Sequence, residues 1–298
     1  MNHATYDDPT TLDTTAEERA VARRLWTHLE AVHVTQYFAP AVRDAHSSLG
    51  LDLPMGGYMA GRLACMGAVG PEVATAVVYG FAPRLVQGAL PAVWEATTPE
   101  QAHEVTVAAV GRTIGPALAS LADEVTRAAE LAREVALLHP IVGRPLAAAR
   151  TSVPWPDEPH LRLFEAATRI RESRGDGHVA SLVAAGIDGC ESHLTLPGDP
   201  QRIRRVIQPR RGWTDAEWDA AAGRLRERGL LQADATLTEQ GAAAREGVER
   251  RTDALAVPPW RAFGPERTAQ LLEVLRPIAR AVADLGIVPG VVIRRLED

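Results

Sequence analysis

The chain has 298 residues, long enough for two modest domains or one large one with ample sequence for a core. Aromatic residues make up 5% of it and hydrophobic residues 46%, so the core has to be assembled from Ala, Leu and Val on closely packed helices. The formal net charge of −6 makes no case for nucleic acid or an anionic membrane as a global partner, and two isolated cysteines, Cys65 and Cys190, argue against a disulfide framework and a zinc site alike.

The opening residues, MNHATYDDPTTLDTT, are polar and acidic and do not form a signal peptide. No apolar run approaches the ~20 residues that span a bilayer. The expectation is a soluble, cytoplasmic protein without a membrane partner, whose residues 1–14 form a flexible arm.

Thr15 and Glu18 form a capping box, and Val21, Leu25, Leu29 and Val32 then follow helical spacing. A shorter helix follows Pro40 and ends at Gly50. Residues 55–94 hold seven Gly and three Pro among apolar side chains, which predicts short helices broken at Gly67, Gly70 and Gly80. Two longer helices are expected over 99–114 and 116–138. Prolines 140, 145, 154, 156 and 159 mark a stiff boundary, giving a helical domain over 15–140 and a second domain over 155–257.

Beyond that boundary the pattern predicts a helix over 158–173, then a turn in which Asp176 caps a second helix ending at Gly186. Asp188 and Glu191 form another capping pair, and 197–212 is expected to be a polar connection. Residues 213–253 carry the clearest signature. Thr214 and Glu217 open a helix with Trp218, Ala221, Ala222 and Leu225 on one face, and Gly229 ends it. Leu230-Leu231 and Thr236-Leu237-Thr238 then read as a two-stranded wing, followed by a helix with Ala244, Val248, Thr252 and Leu255 on its apolar side. The fold class is therefore mainly α, a helical N-terminal domain plus a C-terminal winged helix-turn-helix. Residues 258–298 form a docking helix, near 265–285, and a tail; the helix is also a candidate dimerisation arm.

Three stretches are candidates for chemistry. The winged helix is a potential DNA reader, with Arg202, Arg204, Arg205, Arg210, Arg211 and Arg224 available to phosphates. Against this, Asp215, Glu217 and Asp219 front the recognition helix and the wing holds no Lys or Arg, so a packing role stays open. The second stretch is ESRGDGHVA. As a helix start it places His178 at the positive end of a helix dipole, where imidazole stays neutral and can act as base, acceptor or ligand. If the protein catalyses, His178 is the acid/base, Arg174 positions an anion and Asp176 orients the turn. The third is the aromatic set Trp26, His33, Tyr37, Phe38, Tyr58, Tyr79 and Phe81, which either lines a ligand pocket or builds the N-terminal core. No metal, nucleotide or other cofactor is implied.

RRGWTDAEWDAAAGRLRERGLL, LTEQGAAAREGVERRTDALA, PWPDEPHLRLFEAATRIRESRGDGHVASLVAAGIDG and GYMAGRLACMGAV together resemble an actinobacterial helix-turn-helix family, distantly similar to MarR-type winged helices. The resemblance covers nearly the whole chain. MarR proteins proper are basic, dimeric, ligand-responsive repressors of about half this length; the acidic recognition helix, neutral wing and added N-terminal domain depart from them. The expected function is a cytosolic small-molecule-binding protein on a winged-helix scaffold, acting on or sequestering its ligand without metal or nucleotide. The alternatives are a MarR-like, ligand-responsive DNA-binding transcription regulator and a homodimeric interaction module.

Overall fold

The computed structural model describes residues 13–297, so most of the arm expected over 1–14 lies outside the described residues. In chain order the helices are α1 (Ala16–His33), α2 (Thr35–Phe38), α3 (Pro40–Ser47), α4 (Gly56–Leu63), α5 (Pro71–Val77), α6 (Pro83–Ala89), α7 (Ala92–Ala96), α8 (Pro99–Ala117) and α9 (Ala122–Leu137). There follow α10 (Pro145–Arg150), α11 (Pro159–Ala184), α12 (Glu191–Leu194), α13 (Pro200–Arg211), α14 (Asp215–Glu227), α15 (Glu239–Phe263), α16 (Pro265–Ala283) and α17 (Gly290–Glu297). Among the described residues no single helix is long and apolar enough to cross a membrane.

The 26-residue α11 is the spine against which α1, α9 and α15 pack. The main core runs along it and joins Leu25, Leu29 and Val32 of α1, Leu131 and Val135 of α9, Phe164 and Ile170 of α11, and Trp260 of α15. Residues from both ends of the sequence therefore share one hydrophobic body. Leu271, Leu275, Ile278 and Val282 of α16 are buried in it too. The face of α16 that would serve a dimerisation arm is thus already covered by its own chain. A second cluster, including Met59, Leu63, Val77, Phe81 and Leu90, holds the glycine-broken segment together. A third, with Leu194, Trp218, Ala221, Leu225 and Leu230, is the small core of the helix-turn-helix module.

Local signals place most helix ends. At α1 the Thr15 Oγ accepts the Glu18 N–H at 3.1 Å and the Glu18 carboxylate accepts the Thr15 N–H at 2.7 Å. The same reciprocal pair forms between Thr214 and Glu217 at α14. Gly229 closes α14 at φ 71°, with Leu230 N–H reaching Leu225 O and Gly229 N–H reaching Arg226 O, the two bonds of a Schellman end.

Three expectations are corrected. The two-stranded wing reduces to a single antiparallel bridge, Leu231 to Leu237, with no strand assigned among the described residues. The segment is too short to do more: Leu230 completes the end of α14, while Thr238 caps α15 by accepting Gly241 N–H. Asp234 folds the intervening turn by accepting the Thr236 N–H and hydroxyl, and Ala235 takes φ 65°. Second, the helix expected to break at Asp176 runs through Gly175, Asp176 and Gly177 without interruption. Both glycines are packing sites: a Cβ on Gly175 would lie 2.8 Å from Arg171 Nη1, and one on Gly177 would lie 3.0 Å from Arg144 Nη1. His178 accordingly sits in mid-helix, away from any helix dipole end. Third, the polar connection 197–212 contains helix α13, capped by Asp199 on the Gln201 N–H and begun by Pro200.

Candidate functional site

Because α11 is continuous, Arg171, Gly175, His178 and Leu182 fall on one face at helical spacing. Opposite them stand Tyr58 and Arg62 of α4, Val77 at the end of α5 with the loop 78–81 after it, His193 of α12, Arg211 at the end of α13 and Arg245 of α15. These residues enclose a cleft of about 210 Å³ between the glycine-broken segment and the helix-turn-helix module. Four other hollows are larger, beside Phe38 and His46, between Arg24, Arg276 and Arg280, between Trp218 and Leu237, and beside Trp155, and each is lined by fewer polar side chains.

The cleft is cationic. Arg62 donates to both Glu172 oxygens, at 3.2 and 2.9 Å, and to the Tyr58 hydroxyl at 2.6 Å. Arg171 shares the same carboxylate at 3.4 Å and lies 3.6 Å from Glu30. Burial acts to raise the Glu172 pKa, but Arg62 and Arg171 outweigh it and hold the carboxyl at about 2. Burial pushes the Glu30 carboxyl up, and Arg171 acts to lower it. Arg245 pairs with Glu249, which also meets Arg23. Arg211 stacks over Phe81 at 4.2 Å and has no carboxylate within ion-pair distance among the described residues. For Tyr58, burial acts upward, but Arg62, Arg211 and Arg171 bring the phenol below its ordinary value.

The protonation of His178 follows from its neighbour. Thr252 has one hydroxyl proton and donates it to Val248 O at 2.8 Å. Donation by the imidazole Nδ1–H across the 2.9 Å contact to Thr252 Oγ is the arrangement that keeps the Thr252–Val248 bond. That leaves Nε2 as an unprotonated acceptor on a side chain lining the cleft. Burial brings the His178 pKa down to about 4, Glu249 opposes this, and Arg245, Arg174 and Arg171 reinforce it. At neutral pH the ring is an acceptor rather than a cation. His193 donates Nε2–H to Gly80 O at 2.8 Å, and its pKa is likewise lowered to about 4, chiefly by burial.

The structure brings together Tyr58, Tyr79, Phe81, His178 and Arg211 from the three separate sequence candidates. His33 and Tyr37 lie behind the cleft wall in an aromatic string: His33–Tyr37, Tyr37–Tyr58 and Tyr58–Phe81 have centroid separations of 5.3, 5.0 and 5.1 Å. Phe38 is exposed beyond that string. Arg174 stacks on Trp26 at 4.2 Å and pairs with Asp253, and Asp176 accepts the Ala147 N–H at 3.0 Å. Trp26, Arg174 and Asp176 line no part of the cleft. Burial raises the Asp176 pKa to about 6. Arg62, Arg245 and His193 have no place among the sequence candidates, and Glu172 enters only as the first residue of ESRGDGHVA. The spacing Arg171, Gly175, His178 was a usable signal, hidden by reading a helix break at Asp176.

The basic run is divided between different surroundings. Arg204 bridges Asp215 and Asp219, at 2.9 and 2.7 Å. Arg224 pairs with Asp188 and Glu191. Arg202, Arg205 and Arg210 are exposed on α13. The α13–α14 turn is gripped by the loop after α5: Gly80 O accepts Trp213 Nε1–H at 3.1 Å, Ala82 N–H donates to Arg211 O at 2.8 Å, and Arg84 pairs with Glu217.

A family model described as a helix-turn-helix family matches residues 22–289. The chain belongs to that helix-turn-helix family. The match takes in the glycine-broken segment and α1 as well as the α13–α14 pair, so the cleft and its walls all lie within the family's common span. No curated protein and no solved structure matches the chain.

Proposed function

We propose that the chain is a ligand-responsive, DNA-binding regulator in which the arginine-lined cleft is the effector site and the α13–α14 pair faces DNA. Membership of a helix-turn-helix family supports the DNA-directed role. The observation that carries the coupling is the position of Arg211. It is a wall of the cleft and also the last residue of α13, three residues before the Thr214 cap of α14. A ligand that moves Arg211 or the 79–82 loop acts directly on the turn between the two helices. The order of helices and the long helix after α14 support the MarR-like resemblance, and the reduced wing departs from it.

Phosphate contact falls to Arg202, Arg205 and Arg210 on α13. Arg204 joins them when its exposed pairs with Asp215 and Asp219 open, since such surface pairs contribute only about 0–1 kcal/mol. A second reading, a ligand-binding protein that does not engage DNA, is favoured by one feature. The Asp215 and Asp219 side chains, 83% and 62% exposed, stand where phosphates would approach the front of α14. The separating experiment is an anisotropy titration of the full chain against duplexes from its own upstream region at low salt. Sequence-selective binding whose affinity falls steeply as salt rises supports the regulator. Equal, weak binding to every duplex supports the second reading.

A further inference from the structure

The walls of the cleft leave three demands unmet. First, four guanidinium groups converge: Glu172 serves two of them, Glu30 lies 3.6 Å from one of those two, Glu249 is shared with Arg23, and Arg211 has no ion-pair partner among the described residues. Second, His178 offers a lone pair at Nε2 in the tautomer that keeps the Thr252–Val248 bond, and only a hydrogen-bond donor satisfies it. Third, Tyr58, Tyr79, Phe81 and Leu182 supply apolar lining that a bare inorganic anion does not use. The volume of about 210 Å³ falls below the ~300–1,000 Å³ of drug-sized sites, so the ligand is small.

We propose that the cleft binds a small carboxylic acid bearing a hydroxyl group and a compact aromatic or similarly apolar body. The carboxylate faces Arg171, Arg211 and Arg245, and the hydroxyl donates to His178 Nε2. This deepens the effector-site reading and rests on it. Gly175 provides the floor: it lies one helical turn from both Arg171 and His178, and its missing side chain lets the Arg171 guanidinium lie along the helix. Tyr58 accepts from Arg62, leaving its own hydroxyl proton free to donate to the carboxylate. His178 binds here rather than catalyses, because a neutral imidazole tuned this far from pH 7 is a weak base but a sound acceptor.

The test is calorimetric titration of the full chain at pH 7, without DNA, using four probes that each remove one feature. 3-Phenyllactate carries all three groups, 3-phenylpropionate lacks the hydroxyl, 2-phenylethanol lacks the carboxylate, and inorganic phosphate lacks the apolar body. 3-Phenyllactate is expected to bind roughly threefold to tenfold tighter than 3-phenylpropionate, the range for one neutral hydrogen bond. His178→Phe closes that gap while keeping the ring's bulk. Arg211→Ala breaks no ion pair among the described residues, and it weakens both acids by about tenfold to a hundredfold. Circular dichroism of each variant confirms the fold. Equal affinity for the two acids in the wild type overturns the proposal, as does phosphate binding as tightly as 3-phenyllactate, or 3-phenyllactate failing to bind. Because DNA is absent, these outcomes are separate from success or failure of the DNA titration.

Discussion

Two carboxylates on α11, Glu165 and Glu172, lie seven residues apart, and each is flanked by two arginines. Glu165 meets Arg150 and Arg169, with all three side chains 8% exposed or less. Trp155 covers Arg169 at 4.0 Å, and Arg169 also donates to Val153 O. Glu172 meets Arg62 and Arg171, whose side chains are 11% and 25% exposed because they border the cleft. The chemical device is the same in both places. At Glu165 it is closed by protein on every side and holds α10 to α11. At Glu172 it is left open, with the charge balance tipped toward arginine, so the residual positive potential faces a space that a ligand can enter.

The sharpest way to break this comparison is to remove each carboxylate in turn. Glu165→Gln strands two enclosed arginines and should lower unfolding free energy by about 3–5 kcal/mol, read from urea denaturation. Glu172→Gln should cost less, about 1–3 kcal/mol, because Arg62 and Arg171 can be rehydrated from the cleft. It should also tighten binding of organic acids. Equal destabilisation by the two substitutions would show that the second cluster is as closed as the first.

Acid should expose the next difference. His178 and His193 are held neutral, at about 4, and His103 and His139 at about 4 and 3, each chiefly by burial. The unfolded chain binds these protons below about 6.5 and the folded chain does not. Their contribution is therefore complete above pH 6.5 and is lost as pH falls from 6.5 toward 4. Asp176, raised to about 6, and Glu30, also raised by burial, act in the opposite sense, but they are two carboxyls against eight histidines whose pKa is lowered. The urea midpoint should fall between pH 6.5 and 4.5, by about 2–3 kcal/mol in stability for each of these histidines that stays neutral in the folded chain, and His178→Gln should make the decline shallower. Glu172, lowered from 4.5 to about 2, adds to the slope only at the lower end of this window, and most of its contribution is lost below pH 4.5. A midpoint flat across this range would show the histidines to be solvated.

On the DNA-facing side, replacing Arg202, Arg205 and Arg210 with Ala should reduce the log–log salt dependence of binding by up to ~0.9 for each phosphate no longer neutralised. An unchanged slope would place the DNA-binding surface elsewhere. The smallest effect is expected at the floor of the cleft. Gly175→Ala meets the flexible end of Arg171 rather than backbone, so it should alter stability by less than about 1 kcal/mol while weakening acid binding a few-fold.

Much of the frame was legible in the sequence, because capping boxes and glycine ends are local. Thr15–Glu18, Thr214–Glu217 and Gly229 were readable without knowing what packs against them. The helix-turn-helix assignment rested on such signals. The wing was not legible, since two runs of suitable residues say nothing about how many are already committed to the helix ends on either side. The site was legible only in pieces. Glycines at 175 and 177 look like a break, and only their neighbours, Arg171 and Arg144, show that both are spaces in a continuous helix. Reading a turn there put His178 at a helix start and grouped it with Asp176 and Arg174, which face other partners. Arg62, Arg245 and His193 reach the cleft from segments far apart in the chain, and no sequence spacing records that meeting.

Arg211 is the proposed energetic link between the cleft and the α13–α14 turn. The most direct measurement is the dissociation constant for an upstream duplex, by anisotropy at fixed low salt, with and without saturating 3-phenyllactate, for the wild type and for Arg211→Ala. Such a link predicts a change of about 5-fold to 150-fold in the wild type and little or none in the variant at matched cleft occupancy. A wild-type affinity for DNA that is the same with the cleft filled and empty would contradict it.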